Sequence, residues 1–339
     1  MIDFIDKIIF AFTYSWLETE YETNETTNEI VFNDDFNRKF SNFLVEIVSE
    51  YKILKFGWKF NSNVDNLPNS IIELYFSCIF NQPIDNLPSN LKHLELGEHF
   101  NQPIDKLPYN LKHLELGYNF NQPIDKLPFN LKHLVLGHHF NQPIDNLPSN
   151  LKHLELGTYF NQPVDNLPSN LKHLLLGDNF NQPFDKLPDS IIKIRFYYLS
   201  HHINKLPESL EELMIISGFN QTINNLPNKL RKMYLPDVFN QPIDNLPENI
   251  EIICLGNCFD QSIDNLPIGL KEIYIGNSST SKFNKSINNL PDSVEKIEIY
   301  NKAYNQSIDR LPKNLKDFNI ISKLNLTNLI NKEIIIMQK

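Results

Sequence analysis

Residues Phe80 to Gly97 read Phe-Asn-Gln-Pro-Ile-Asp-Asn-Leu-Pro-Ser-Asn-Leu-Lys-His-Leu-Glu-Leu-Gly, and near-copies follow every 20 residues. Phe100, Phe120, Phe140, Phe160 and Phe180 open the next five in strict register. A chain that copies one short unit this faithfully stacks it, because a lone unit buries too little apolar surface to offset the ordering of its backbone. Such an array offers the same groups many times over. That suits recognition better than catalysis, which needs different groups converging at one place.

The unit can be read physically. Leu91 to Leu96 predicts a short strand with Leu94 and Leu96 on one side and His93 and Glu95 on the other. Gly97 is expected to permit a tight corner, after which Phe100 and Ile104 return to the core. Pro103 and Pro108 fix φ and remove donors, so the return arm is expected to be extended or polyproline-like. The Leu-Pro pair marks about 13 such units, and only Pro236 lies outside the repeat's two proline positions. Asn81, Asn101, Asn121, Asn141, Asn161 and Asn181 follow each Phe, and Asn220, Asn240, Asn284 and Asn305 continue the series. They read as a buried ladder bonding the corner backbone, or alternatively as a row of ligand contacts.

The array is framed by residues that do not repeat. A helical period links Ile2, Ile5, Ile8, Ile9, Phe12 and Trp16, and a second links Phe36, Phe40, Phe43, Leu44 and Ile47, with Asp34 or Asp35 as the expected N-cap. The acidic, Thr-rich stretch 18–29 between them is expected to be a mobile loop. This gives a helical N-terminal cap over 1–50, a solenoid over 51–320 and a C-terminal cap over 321–339. Register breaks at Leu199-Ser-His-His-Ile203, where Tyr197-Tyr198 replaces the usual glycine corner. It breaks again at an insertion around residues 277–281, and both breaks are expected to be surface loops.

A net charge of −10 argues against nucleic acid and against an anionic membrane surface. The start of the chain carries acids where a leader would carry bases, and no apolar run reaches spanning length. Three cysteines are too few for a disulfide framework, which points to reduced thiols and a cytoplasmic location. Cys254 and Cys258 lie four apart without a second ligand pair, so no metal is expected there. The chain has neither a Gly-rich phosphate loop nor a nucleophile elbow, and neither enzyme activity nor a cofactor is expected.

The segment Leu-Lys-His-Leu-Glu-Leu-Gly resembles the strand of a leucine-rich repeat, and Phe-Asn-Gln-Pro-Ile-Asp-Asn-Leu-Pro resembles the FNIP repeat of social amoebae and amoeba-infecting giant viruses. The resemblance spans about Tyr51 to Ile320. It implies a leucine-rich-repeat-like solenoid, mainly β, with a parallel sheet on one face, and a role in protein interaction. It would place a viral chain in the host cytoplasm, and it supplies no binding residues. Many relatives carry an N-terminal F-box. This leaves open a second reading, a ubiquitin-ligase substrate adaptor recruiting a Skp1-like partner, although the N-terminal helices here lack the usual Leu-Pro start.

The exposed strand face is the place expected to bind a protein partner. One part aligns His93, His113, His133, His153 and His173, flanked by Glu95, Glu115 and Glu155. Five histidines in a row could form a pH-sensitive or metal-binding stripe, or be a relic of duplication. Crowded like charges disfavour full protonation, so the stripe should weaken below neutral pH. Beyond it the face turns mixed and aromatic, with Lys193, Arg195, Lys232, Tyr234 and Tyr274 as candidate anchors.

Overall fold

Leucine at every second strand position and proline on both sides of the return arm leave each coil only one segment able to pair. The computed structural model, which describes residues 20–321, shows that segment as a strand of three to six residues per coil in the solenoid. The chain divides into two compact units, meeting in sequence at Leu171 and Lys172.

In the first unit the strands are β1 (Tyr21–Asn24), β2 (Glu29–Phe32), β3 (Ile53–Lys55), β4 (Glu73–Tyr75), β5 (His93–Glu95), β6 (His113–Glu115), β7 (His133–Val135) and β8 (His153–Glu155). From β2 to β8 each pairs in parallel with the next, and equivalent repeat positions align, as in His93↔His113 and Leu94↔Leu114. The second unit continues with β9 (His173–Leu176), β10 (Lys193–Tyr198), β11 (Glu212–Ser217), β12 (Lys232–Tyr234), β13 (Ile252–Leu255), β14 (Glu272–Ile275), β15 (Lys296–Tyr300) and β16 (Asp317–Ile321), again parallel and in order. Both units are parallel-strand β-solenoid with extended return arms, as the repeat implies.

Each coil closes on the same side chains. Leu91, Leu94, Leu96, Phe100 and Ile104 are buried, and so are their counterparts in the coils as far as Ile308. The phenylalanines form a column, with Phe100, Phe120 and Phe140 rings stacked 6.1 Å apart. Within the Leu-Pro pair the proline is often the more buried partner: Pro88 and Pro108 are buried while Leu87 and Leu107 are half-buried.

The corner glycines have a different cause from the one expected. Gly97, Gly117, Gly137 and Gly157 do not have positive φ. Instead, a Cβ on Gly117 would lie 2.0 Å from the Gly97 carbonyl oxygen, so the residue is dictated by close approach of the preceding coil.

The asparagine ladder exists, and it lies at the surface rather than buried. Asn101 Oδ1 accepts from the backbone N–H of Asn121 at 3.0 Å and from Gln122 Nε2 at 3.2 Å. Asn121 Oδ1 accepts from Asn141 N–H at 2.9 Å in turn. Each side chain therefore serves the following coil rather than its own corner.

The N-terminal region departs most from expectation. Residues 20–32 form the β1–β2 hairpin instead of a mobile loop. Asn24 Oδ1 accepts from Thr26 N–H at 3.0 Å in its turn, and Asn28 takes the left-handed conformation (φ 57°). Ile30 and Phe32 are buried on either side of exposed Val31, which makes β2 a solenoid strand. The helix α1 (Asn42–Ser49) starts later than predicted, capped by Ser41, whose Oγ accepts from Leu44 N–H at 3.3 Å. Asp34 and Asp35 do not cap it: Asp34 accepts from Trp58 N–H, and Asp35 pairs with Lys59. Phe36 and Phe40 precede the helix and join the phenylalanine cluster around Phe32 and Phe56. Their helical spacing arose from a packed loop. The period from Ile2 to Trp16 and nearly all of the expected C-terminal cap lie outside the described residues.

Both register breaks carry structure. Tyr197 and Tyr198 lengthen β10 to six residues, paired with β11 through Tyr198↔Ser217, while Leu199 fills the phenylalanine slot. In the 277–281 insertion, Thr280 bridges to Asn301, and Ser281 and Asn301 are buried. Among the described residues no helix is long and apolar enough to cross a membrane.

Candidate interaction surface

Because apolar residues take the inward positions of each six-residue segment such as Leu91–Leu96, its third and fifth residues, His93 and Glu95 in that coil, face outward. Strand pairing then brings outward residues of neighbouring coils side by side. In the first unit this assembles His93, His113, His133 and His153, with Glu95, Glu115 and Glu155 beside them. His93 and His113 stack at 4.1 Å with rings nearly parallel, and His113–His133 and His133–His153 follow at 5.6 Å. Tyr75 caps the row, 4.8 Å from His93.

Stacking of this kind favours neutral rings. Burial, then the flanking imidazoles of His93, His133 and His153, pulls His113 down to a pKa of about 4. Burial also lowers His93, against the pull of Glu73 and Glu95, and its Nε2 is buried without a hydrogen-bond partner. Glu115 is shifted up, by burial first and then by Glu95 and Glu155. At His93 and His113 the shift is downward, led in both by desolvation, with charge crowding second at His113.

The second unit holds His173, Lys193, Arg195, Lys232, Tyr234 and Tyr274. The third-position column aligns Lys193, Glu212, Lys232, Ile252, Glu272 and Lys296; the fifth aligns Arg195, Met214, Tyr234, Cys254, Tyr274 and Glu298. Lys193 pairs with Glu212 at 3.1 Å. Tyr234 and Tyr274 line one cavity of about 520 Å³ with Cys254, Glu272, Glu298 and Tyr300. Tyr274 Oη donates to Glu272 at 2.7 Å, and burial together with that bond pushes its pKa up to about 12. Lys296 reaches Glu298 at 2.9 Å and Asp317 at 3.2 Å, with its ammonium 5.3 Å from the Tyr274 ring centre. Cys254 is pushed up to about 12 by burial, with help from Glu272 and Glu298, which favours the thiol over the thiolate.

A counterpart occurs in the first unit that sequence reasoning passed over. Glu22, Lys55, Trp58, Tyr75 and Glu95 line a cavity of about 740 Å³. Tyr75 Oη donates to Glu73 at 2.8 Å, and Lys55 Nζ stands 5.1 Å from the Tyr75 ring centre. Lys55 and Tyr75 occupy the same fifth strand position as Tyr274, and that shared position was the signal available in the sequence.

A family model described as the FNIP repeat matches residues 80–107, 105–127, 120–159, 140–165, 160–199 and 239–278. This chain carries FNIP repeats. Among solved structures, CroV588 of the giant virus CroV, described as a novel circular LRR protein, is similar with a TM-score of 0.76 at 29% identity, over 89% of this chain. The FNIP-repeat chain spans 50% of that protein's length. YopM from Yersinia enterocolitica WA-314 aligns over 87% of this chain and 79% of its own, at 16% identity and a TM-score of 0.42. Comparison with curated proteins gave no match. The FNIP repeats thus fold as leucine-rich-repeat-type coils, and scaffolds of that type serve protein–protein interaction in general.

Proposed function

We propose that this FNIP-repeat chain is a non-enzymatic scaffold that binds a protein partner along its strand face. The cavity between Tyr234 and Tyr300 then takes a basic side chain of that partner. The observation that carries this reading is the cavity lining, with the carboxylates of Glu272 and Glu298 beside the rings of Tyr234 and Tyr274; the Lys296 ammonium, outside that lining, shows the preference by resting against Glu298 and 5.3 Å from the Tyr274 ring centre. Carboxylates beside an aromatic face favour a cation both by charge and by the ring quadrupole. The net charge of −10 favours a basic partner over an acidic one. The stacked rings of His93, His113, His133 and His153 supply a flat flank in their own unit. Three free thiols support a reducing compartment such as the cytoplasm.

A displayed random-peptide selection against the full chain tests the reading. Recovered peptides are expected to be rich in Arg and Lys. They should lose binding to a Tyr234→Ala/Glu298→Gln variant that retains its circular dichroism. Peptides that bind native and variant chains equally, or an enrichment in acidic sequences, would overturn it.

A further inference from the structure

The turn after β4 and the turn after β5 bring three unlike donors together. Cys78 lies in the first; Glu98 and His99 lie in the second, one coil on. Their ligand atoms all fall within 4.8 Å of one another. Cys78 Sγ–H points at Glu98 Oε2, 3.4 Å away. The backbone beneath is fixed: His99 N–H donates to the Cys78 carbonyl at 2.9 Å, and Asn119 N–H holds the Glu98 carbonyl at 2.9 Å from the other side. Cys78 is half-buried, while Glu98 and His99 are exposed and free to adjust.

We propose that Cys78, Glu98 and His99 form a binding site for a borderline-soft divalent cation of the zinc type. A thiolate, an imidazole and a carboxylate are the three ligand classes such an ion takes, with bonds of about 2.0–2.3 Å. Tetrahedral geometry with those lengths places sulfur and nitrogen about 3.6 Å apart. The present spread needs closure by roughly 1 Å, within reach of side-chain rotation at Glu98 and His99. Mixed sulfur and nitrogen donors select zinc-like ions over magnesium and calcium, which prefer all-oxygen shells. On binding, the sulfur–metal bond replaces the S–H bond and the thiol proton leaves to solvent, so affinity rises with pH. A fourth position stays open for water or for a partner's side chain.

The site is local to these two coils. The coil before carries Trp58 and Lys59 at the equivalent positions, and the coil after carries Tyr118 and Asn119. It is also separate from the cation-binding cavity of the proposed interaction, so the two can fail independently.

Titration of the full chain with Co²⁺ tests it, read by thiolate-to-cobalt charge-transfer absorption and by displacement with Zn²⁺. One equivalent is expected to give the band. Cys78→Ser should abolish it, and His99→Asn should weaken binding at least about tenfold, the lower end of what even a supporting group costs at metal sites. A Cys254→Ser/Cys258→Ser chain should keep the band. Circular dichroism of each variant checks folding, since Cys78, Cys254 and Cys258 are half-buried and only His99 is exposed. No band in the native chain, or a band that survives Cys78→Ser, would overturn the proposal.

Discussion

Phe120 sits at 0% exposure between the rings of Phe100 and Phe140, each 6.1 Å away. Replacing it with alanine removes a side chain that buries on the order of 200 Å², worth about 5 kcal/mol at about 25 cal/mol per Å². Alanine retains roughly a third of that area, which leaves about 3 kcal/mol of lost transfer energy. Phe100 and Phe140 are anchored in their own coils and cannot collapse into the gap, so a cavity term of about 1 kcal/mol is added. The expected loss is therefore about 3–5 kcal/mol. Phe129, nine residues on but 54% exposed, provides the control, and alanine there should cost less than about 0.5 kcal/mol. Phe120→Leu should cost only about 1–1.5 kcal/mol, since Leu199 fills the same slot at 0% exposure. Guanidinium unfolding followed by circular dichroism gives the totals. Amide exchange locates the damage, because an array can open locally. Similar losses at Phe120 and Phe129 would refute the stacked-column account.

Three further outcomes follow from the same geometry. Gly117→Ala should destabilise by about 1–3 kcal/mol, because its Cβ would meet the Gly97 carbonyl oxygen at 2.0 Å; a stabilised variant in thermal unfolding would reverse the reading. That expectation concerns the run from Gly97 to Gly157, since Ser77 and Pro236 hold the position in other coils. Asn101→Ala, which strips the acceptor from Asn121 N–H and Gln122 Nε2, should cost about 1–2 kcal/mol; Asn101→Asp should be nearly neutral, and equal losses would count against the ladder. For pH, the folded chain holds His113 below its ordinary 6.5, so the unfolded chain takes up the proton first and stability falls as pH drops from 6.5 toward about 4. The full shift would be worth about 3 kcal/mol, which solvent screening at this half-exposed site reduces to about 1–2 kcal/mol. Glu115 acts in the opposite sense, its raised pKa favouring the folded chain at low pH. A denaturation midpoint that does not move between pH 7 and pH 5 would contradict the histidine contribution.

The repeat made most of this architecture legible. Leu94, Leu96, Phe100 and Ile104 were readable as core because their period holds strictly from Phe80 to Phe180. The ends were harder, because a single segment has no copies to confirm its period. Phe36 and Phe40 are spaced like a helix yet pack as a loop, and Ile30-Val-Phe32 makes a strand from only three apolar residues. On the face, alternation told which side chains point outward but not which of them enclose a cavity. Tyr300 lines one from two positions beyond the usual pair, reached only because β15 runs longer. The Cys78–Glu98–His99 cluster was invisible for the same reason. Cys78 lies 20 residues before Glu98, and only stacking makes it a neighbour of the adjacent pair Glu98 and His99.

The handover of hydrogen bonds from one coil to the next has an evolutionary corollary. Every rung needs only an oxygen on the preceding turn, and Asp260 supplies it to Asn284 N–H at 2.9 Å as well as an asparagine would. Copying one complete 20-residue module inserts a new donor and a new acceptor together, and leaves every older rung intact. Slippage by whole modules during gene replication is therefore structurally silent. The four additional residues around 277–281 bulge between rungs, with the Asp260-to-Asn284 contact still closed. Such a gene can lengthen its product in whole-module steps and present a longer recognition face without first solving a new folding problem.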